Sequence, residues 1–494
     1  MPEPFQLSVA EAAGEIRQGN LSPVDLAQSL LARIDALDPS LKAWVTIDRE
    51  EVLSEAKRRE DELGQGDPKG PIHGIPVGLK DIYYTAGMLT ACGSRINADF
   101  VPDYDATTVS RIKGAGGIIL GKAVTTEFAM SDPSPAVNPW NAAHTPGGSS
   151  SGSSVAVAAR MCAAALGSQT GGSTCRPAAY NGIVGLKPTY GRISRYGVVP
   201  VSWSLDTVGI LVRTVADAAV MLQVLAGHDP QDPGCPDQPV PDYLEEMGRL
   251  NGPPRIGLIR EFFYDQSTVE VRSHTDAAVE KLAEAGAIIQ EISLPESFSS
   301  AHSCQRVVSN VECAAFHEES YRDRADEFGP RIRSSIEVGM LIPSVRYVQA
   351  QRARRQFRAD MMAMVQQVDV VLMPGIQAPA PRDLNTTGNA MFQQPWTSSG
   401  LPSIVVPSGL AEDGLPLAIQ LAALPWDEGK LLAAAGWCES VLGVNLSPWI
   451  TRSRAAESPL LSIQTSVTIF RRPVSYLLGL SFGGLFGLVL PSNR

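Results

Sequence analysis

Residues 147–173 hold two serine-rich glycine loops, Gly147-Gly148-Ser149-Ser150-Ser151-Gly152-Ser153 and Gly167-Ser168-Gln169-Thr170-Gly171-Gly172-Ser173. An isolated lysine stands upstream in Pro76-Val77-Gly78-Leu79-Lys80-Asp81. Together they can supply a nucleophile, a proton relay and a base without histidine. Glycines beside a nucleophilic serine let the backbone approach a substrate and aim successive N–H groups at a developing oxyanion. A lysine becomes a base once desolvation or neighbouring donors lower its pKa. The pattern points to a hydrolase acting on an acyl–nitrogen bond.

Each piece also has a plainer reading. The N–H groups around Thr170-Gly171-Gly172 can form an anion-binding concavity beside the Ser173 hydroxyl, but the same residues make an ordinary glycine turn. Lys80 ends an apolar run, a poor place for an unpaired charge, yet it could simply emerge from a strand beside Asp81. Gly148–Gly152 matches G-x-S-x-G with Ser150 as nucleophile. That elbow needs a strand before it, and residues 138–146 read as a loop. Gly116 to Lys122 resembles a Walker A loop, but Ala123 stands where Ser or Thr must meet magnesium. The six histidines lie apart, without metal-ligand spacing, so no metal and no cofactor are expected. His73 and His144, which flank the loops in sequence, are structural or substrate-lining candidates.

The elements that must hold these loops read as α/β. Ser22-Pro23-Val24-Asp25 places a capping serine, a proline at the first helical position and a carboxylate at the third. A polar helix follows over 49–63. From Ile72 onward, short apolar runs broken by glycine suit buried strands: 75–79, 117–121, 183–186, 208–212, 256–259, 368–373, 403–406 and 417–421. Helices are expected at Ser154–Leu166, Val215–Leu225 and Ser273–Ala285, with a long helical insert over 300–366. An α/β sandwich about one large sheet follows. The Asp- and Pro-rich stretch 227–254 reads as a loop between two halves of one domain.

Composition narrows the classes further. The chain has 494 residues, 44% hydrophobic and 19% charged, enough for a large core. A net charge of −11 argues against phosphate binding as the main business. Arg352, Arg354, Arg355 and Arg358 read as the solvated face of a helix. Seven scattered cysteines without a Cys-x-x-Cys pair fit reduced thiols and a cytoplasmic location, and the N-terminus shows no secretory pattern. The tail has no charged residue from Pro473 to Asn493. It is short for a spanning helix, and its glycines weaken it. It reads as a membrane anchor, an apolar segment packed on the body or a dimer partner, or a non-native C-terminus.

Read together, the motifs resemble the amidase signature family. The match runs through Ile72–Asp81, Thr145–Ser150, Ala165–Ser173, Arg176–Ala179, Gly182–Thr189 and Ser204–Gly209, with similarity over roughly 7–445. The resemblance implies a large mixed central β-sheet sandwiched by helices in a single domain over 1–455. That domain would comprise N-terminal helices over 1–65, a catalytic core over 70–225 and a substrate-lining insert over 300–366, followed by an atypical tail over 456–494. It also implies a Ser–cis-Ser–Lys triad. Ser173 would attack, Ser149 would relay and Lys80 would receive the proton. The N–H groups of Thr170, Gly171, Gly172 and Ser173 would hold the oxyanion.

Three departures bear on substrate. Gln169 replaces a usual aspartate, Ser151 replaces a glycine, and Arg176 lies three residues after Ser173 rather than two. This form resembles stand-alone small-molecule amidases more than the A component of the tRNA-dependent amidotransferases. The expected partner is therefore a small-molecule amide or carbamate, with no nucleic acid and a homodimer left open. The alternative is an amidotransferase A-type component making ammonia from glutamine for a tRNA-binding partner. Gln169, Ser150, Met340, Phe392 and Trp396 are the substrate-binding candidates. The last three, with Leu341, hint at a substrate bulkier than acetamide unless they belong to the core.

Overall fold

The computed structural model describes residues 2–250 and 252–448; the tail lies outside them. One 11-stranded mixed sheet organises the chain. Its first six strands are β1 (Trp44–Thr46), β2 (Pro76–Lys80), β3 (Ile118–Ala123), β4 (Ala164–Gln169), β5 (Val184–Lys187) and β6 (Thr207–Val212). The remaining five are β7 (Arg255–Leu258), β8 (Ile288–Glu291), β9 (Val370–Pro374), β10 (Ser403–Leu410) and β11 (Pro416–Ala422). The spatial order is β1-β3-β2-β4-β6-β5-β10-β11-β9-β7-β8. Strands from before the 227–254 connection thus form one contiguous half, and later strands form the other. The halves join where β5 pairs antiparallel with β10. The connection itself carries a short helix, Tyr243–Gly248.

Alternation along the strands produces a core on each face of the sheet. Val208, Ile210 and Val212 of β6 pack with the helices Val9–Arg17 and Val215–Leu225, while Leu211 packs with the helix Ser151–Ala158. Farther along the sheet, Val370 and Leu372 of β9 face the first core. Val371 and Met373 face a third cluster with Phe357, Phe392 and Trp396. The protein is therefore a large mixed sheet sandwiched by helices.

Local signals held at several ends. The Ser22 hydroxyl accepts from Val24 N at 3.0 Å and starts the helix Pro23–Leu41. Helices at Arg49–Gly64 and Val215–Leu225 lie where the pattern placed them, and the insert folds as Ala301–Arg324, Pro330–Leu341 and Ser344–Val365. The expected helix over Ser154–Leu166 does not form as one element. It stops at Ala158, Arg160 turns into the left-handed region at φ 59°, and the chain enters β4. Residues 155–166 are buried apart from Arg160, so no polar stripe marks a helical period, and burial alone does not separate helix from strand.

The arginine cluster is also only partly solvated. Arg352 and Arg355 are exposed. Arg354 Nε donates to Ser398 O at 2.8 Å and Arg358 Nη1 to Ser399 O at 2.5 Å, capping carbonyls at the end of the helix Gln394–Ser398. All seven cysteines are unbridged. Among the described residues, no helix is long and apolar enough to cross a membrane.

Candidate active site

Lys80 is the last residue of β2, and every residue of that strand is buried. β2 lies between parallel β3 and β4, and the lysine is fully buried. Its Nζ lies 2.6 Å from Ser149 Oγ and 2.8 Å from Ser168 Oγ. Desolvation pulls the ammonium down to about 7, while the nearby Asp206 and Cys92 push the other way. A large fraction of this lysine is thus neutral near pH 7 and can accept a proton.

The two glycine loops meet around it. The Gly148–Ser149 peptide is cis, and the Ser149 carbonyl accepts from Thr125 Oγ1 at 3.2 Å and Thr126 N at 3.3 Å. Ser150 N donates to Ser173 O at 3.3 Å, tying one loop to the other. Arg176, buried one helical turn beyond Ser173, donates to Gly148 O and to Gly388 O, the latter at 2.7 Å. Burial brings that guanidinium down to about 10.

Side chains from distant segments hold the second loop by its carbonyls. Gln305 Nε2 donates to Thr170 O at 2.7 Å, and Thr397 Oγ1 donates to Gly171 O at 2.9 Å. Thr170 Oγ1 donates to Asp206 Oδ1 at 2.5 Å, and the other Asp206 oxygen accepts from Val201 N and Ser202 N. With the carbonyls turned to these donors, the N–H groups of Gly171, Gly172 and Ser173 have no acceptor among the described residues. They line a cleft of about 380 Å³ with Thr170 and Arg176. A Cβ at Gly172 would stand 2.9 Å from Ala390 Cβ and 3.1 Å from Gln393 Oε1, so that position requires glycine.

The remaining sequence candidates fall elsewhere. Gln169 is fully buried; its Oε1 accepts from Thr174 N and Cys175 N, both at 3.0 Å, and its Nε2 donates to Thr397 Oγ1. Ser150 Oγ accepts from Ser168 N at 3.2 Å, and Ser151 Oγ donates to Gly147 O at 2.9 Å. These side chains brace the loops from within. Phe392 and Trp396 sit in the third apolar cluster, and Met340 is 45% exposed on its helix. None of these three lines the cleft, whose wall is polar: Gln305, Arg306, Ser309, Asn310, Ser335 and Gln394 contribute to it. His73 and His144 hold the carbonyls of Arg59 and Ala380, each at 2.7 Å.

Sequence reasoning missed Ser168, Asp206, Gln305 and Arg306. A carboxylate directly before the apolar run of β6 was a readable signal for Asp206. The two insert residues carry none, because only the tertiary fold brings a helix 130 residues downstream over the loop. A second cavity of about 260 Å³ reaches Ser168 and Asp206, and Val201 lines both cavities. Among the described residues, no group of three His, Cys, Asp or Glu could hold a metal ion.

Comparison with known proteins bears on the family and the fold. The Amidase family model matches residues 25–432. The A component of the glutamyl-tRNA(Gln) amidotransferase of Geotalea daltonii is 37% identical over 471 residues, covering 88% of this chain and 96% of the relative. Native peptide amidase from Stenotrophomonas maltophilia superposes with a TM-score of 0.79 at 30% identity, covering 90% of this chain and 99% of that chain. A structure described as a vestigial protein complex revealing the evolutionary origins of an s-triazine catabolic enzyme gives 0.82 at 29%, covering 89% and 99%.

These relatives correct one expectation. A stand-alone enzyme whose partner is only a small amide or carbamate, with no nucleic acid, conflicts with relatives that are components of an amidotransferase named for glutamyl-tRNA. The expectation rested on Gln169, Ser151 and the spacing of Arg176, and the structure gives the reason it misled: all three side chains are committed to bracing the loops. The fold, the paired glycine loops and the family match agree that this chain belongs to the amidase family, the amidase signature enzymes.

Proposed function

We propose that the chain works as an amidotransferase A-type component, releasing ammonia from glutamine for a partner that binds tRNA. The observation that carries the chemistry is the buried, readily neutralised Lys80, hydrogen-bonded to Ser149 beside three backbone N–H groups without acceptors among the described residues. The amidotransferase relatives support the choice of substrate and partner, and the polar cleft suits a small, polar amide better than a bulky apolar one.

In this reading Ser173 Oγ attacks the amide carbon while its proton passes to Ser149 and from Ser149 to Lys80 Nζ. The negative charge that develops on the carbonyl oxygen is held by the N–H groups of Gly171, Gly172 and Ser173, with Thr170 completing the loop. The C–N bond breaks as the relay returns the proton to nitrogen, so ammonia leaves and an acyl ester stays on Ser173. Water then attacks the ester, giving its proton to the same relay, and the carboxylic acid departs. Glutamine and water become glutamate and ammonia.

The test is ammonia release from glutamine by the isolated chain, with Ser173→Ala as control, followed by pull-down with purified candidate partner proteins and tRNA. Serine-dependent ammonia release together with partner binding supports the reading. Efficient turnover of unrelated amides, with no glutamine hydrolysis and no partner, overturns it.

A further inference from the structure

Two guanidinium groups and no carboxylate line the cleft that holds Ser173. Arg176 is committed to holding the loops through Gly148, Gly388 and Thr387. Arg306 is not. It projects from the helix Ala301–Arg324, is exposed, and makes no hydrogen bond or ion pair among the described residues. Three other arginines of the same insert are paired, Arg322 with Glu318, Arg324 with Glu327 and Arg333 with Glu337. Arg352 and Arg355 are exposed and make no hydrogen bond or ion pair among the described residues, but they do not line the cleft. Beside Arg306, the buried Gln305 gives its Nε2 to Thr170 and leaves Oε1 without a partner.

We propose that Arg306 anchors a carboxylate, so that this cleft takes an amide whose far end is anionic. The inference deepens the proposed function and rests on it. A guanidinium matches a carboxylate with two parallel N–H bonds, which sets orientation as well as affinity. A cation without an opposing acid in a cleft also raises the local concentration of anionic substrate. The cavity, about 380 Å³, is at the small end for ligand sites. It suits a dicarboxylic acid monoamide or an ω-amide amino acid, and the open Gln305 acceptor suits an N–H of such a molecule.

The test compares glutarate monoamide with valeramide, which have the same carbon count and differ by carboxylate against methyl. The purified full chain, Arg306→Ala and Arg306→Lys are assayed for ammonia release, with thermal midpoints measured in parallel. The wild type should prefer the monoamide by about 10- to 100-fold in kcat/KM, as a charged hydrogen-bonded contact would give. Arg306→Ala should erase that preference by raising KM for the monoamide about 10- to 100-fold, with the thermal midpoint unchanged, and Arg306→Lys should restore part of it. Equal efficiency on both amides in the wild type, or an unchanged ratio in Arg306→Ala, overturns the anchor while amide hydrolysis stands. A parallel loss on both amides with a lowered midpoint also overturns it, since the role is then structural. No ammonia from either amide or from glutamine overturns the function reading itself.

Discussion

Replacing Lys80 by Met should inactivate the protein and stabilise it, and the stabilisation should depend on pH. Burial lowers the lysine from its ordinary 10.5 to about 7 in the folded chain. Between those values the unfolded chain binds one more proton than the folded one. Stability contributed by this group therefore rises with pH across that window, at about 1.4 kcal/mol per unit. At pH 7 the lowered pKa costs the fold about 4 kcal/mol, and at pH 9 about 2 kcal/mol. Methionine escapes that cost but leaves the hydroxyls of Ser149 and Ser168 without their shared partner, at about 1 kcal/mol each.

Lys80→Met should thus be about 2 kcal/mol more stable than the wild type at pH 7 and about equal to it at pH 9. Urea unfolding of both proteins at several pH values reads the gap directly. A gap that stays constant from pH 7 to 9 would refute the reasoning, because Lys80 would then titrate alike in both states. Activity offers a second reading. The wild-type rate should fall on the acid side of about pH 7 as the base is protonated, and Lys80→Met should lose about 10²- to 10⁴-fold.

Gly172→Ala should cost about 10²-fold in kcat with little change in fold, because the new methyl meets Ala390 and Gln393 and displaces an N–H of the loop; steady-state kinetics and circular dichroism check this. Trp396→Ala should lose about 3–5 kcal/mol in a denaturant titration, since the indole is fully buried in the apolar cluster and does not line the cleft. Glu428→Ala should lose about 3–5 kcal/mol as well, because it strands buried Arg192 and removes the acceptor of Thr189 N; adding Arg192→Met in a double variant should recover part of the loss.

Much of this protein was legible in the linear chain because its signals are local. Glycine density around Ser149 and Ser173, a lysine ending the apolar run 75–80, and the caps and strands with clean alternation all concern neighbours in sequence. The alanine-rich run 154–166 was not legible, because a segment buried on all sides carries no period and only Arg160 φ marks the break. Three short strands, β1, β4 and β8, were missed for the same want of pattern: β1 has three residues, and β8 is an exposed edge. Phe392 and Trp396 could be core or pocket by type alone, and packing against β9 decided for core.

By itself, then, the sequence determined which hydroxyls and which amine could do chemistry, and that a sandwich about one sheet would carry them. Tertiary structure alone decided the rest. Lys80 is readily neutralised, as the proposed base must be, because strands on both sides and Ser149 and Ser168 enclose it, and desolvation belongs to the whole surrounding volume. Gln169 read as a substrate candidate by type, and folding committed its side chain to Thr174 N, Cys175 N and the distant Thr397 Oγ1. Gln305 and Arg306 reach the cleft from a helix 130 residues downstream, a proximity that no local pattern of residues can encode.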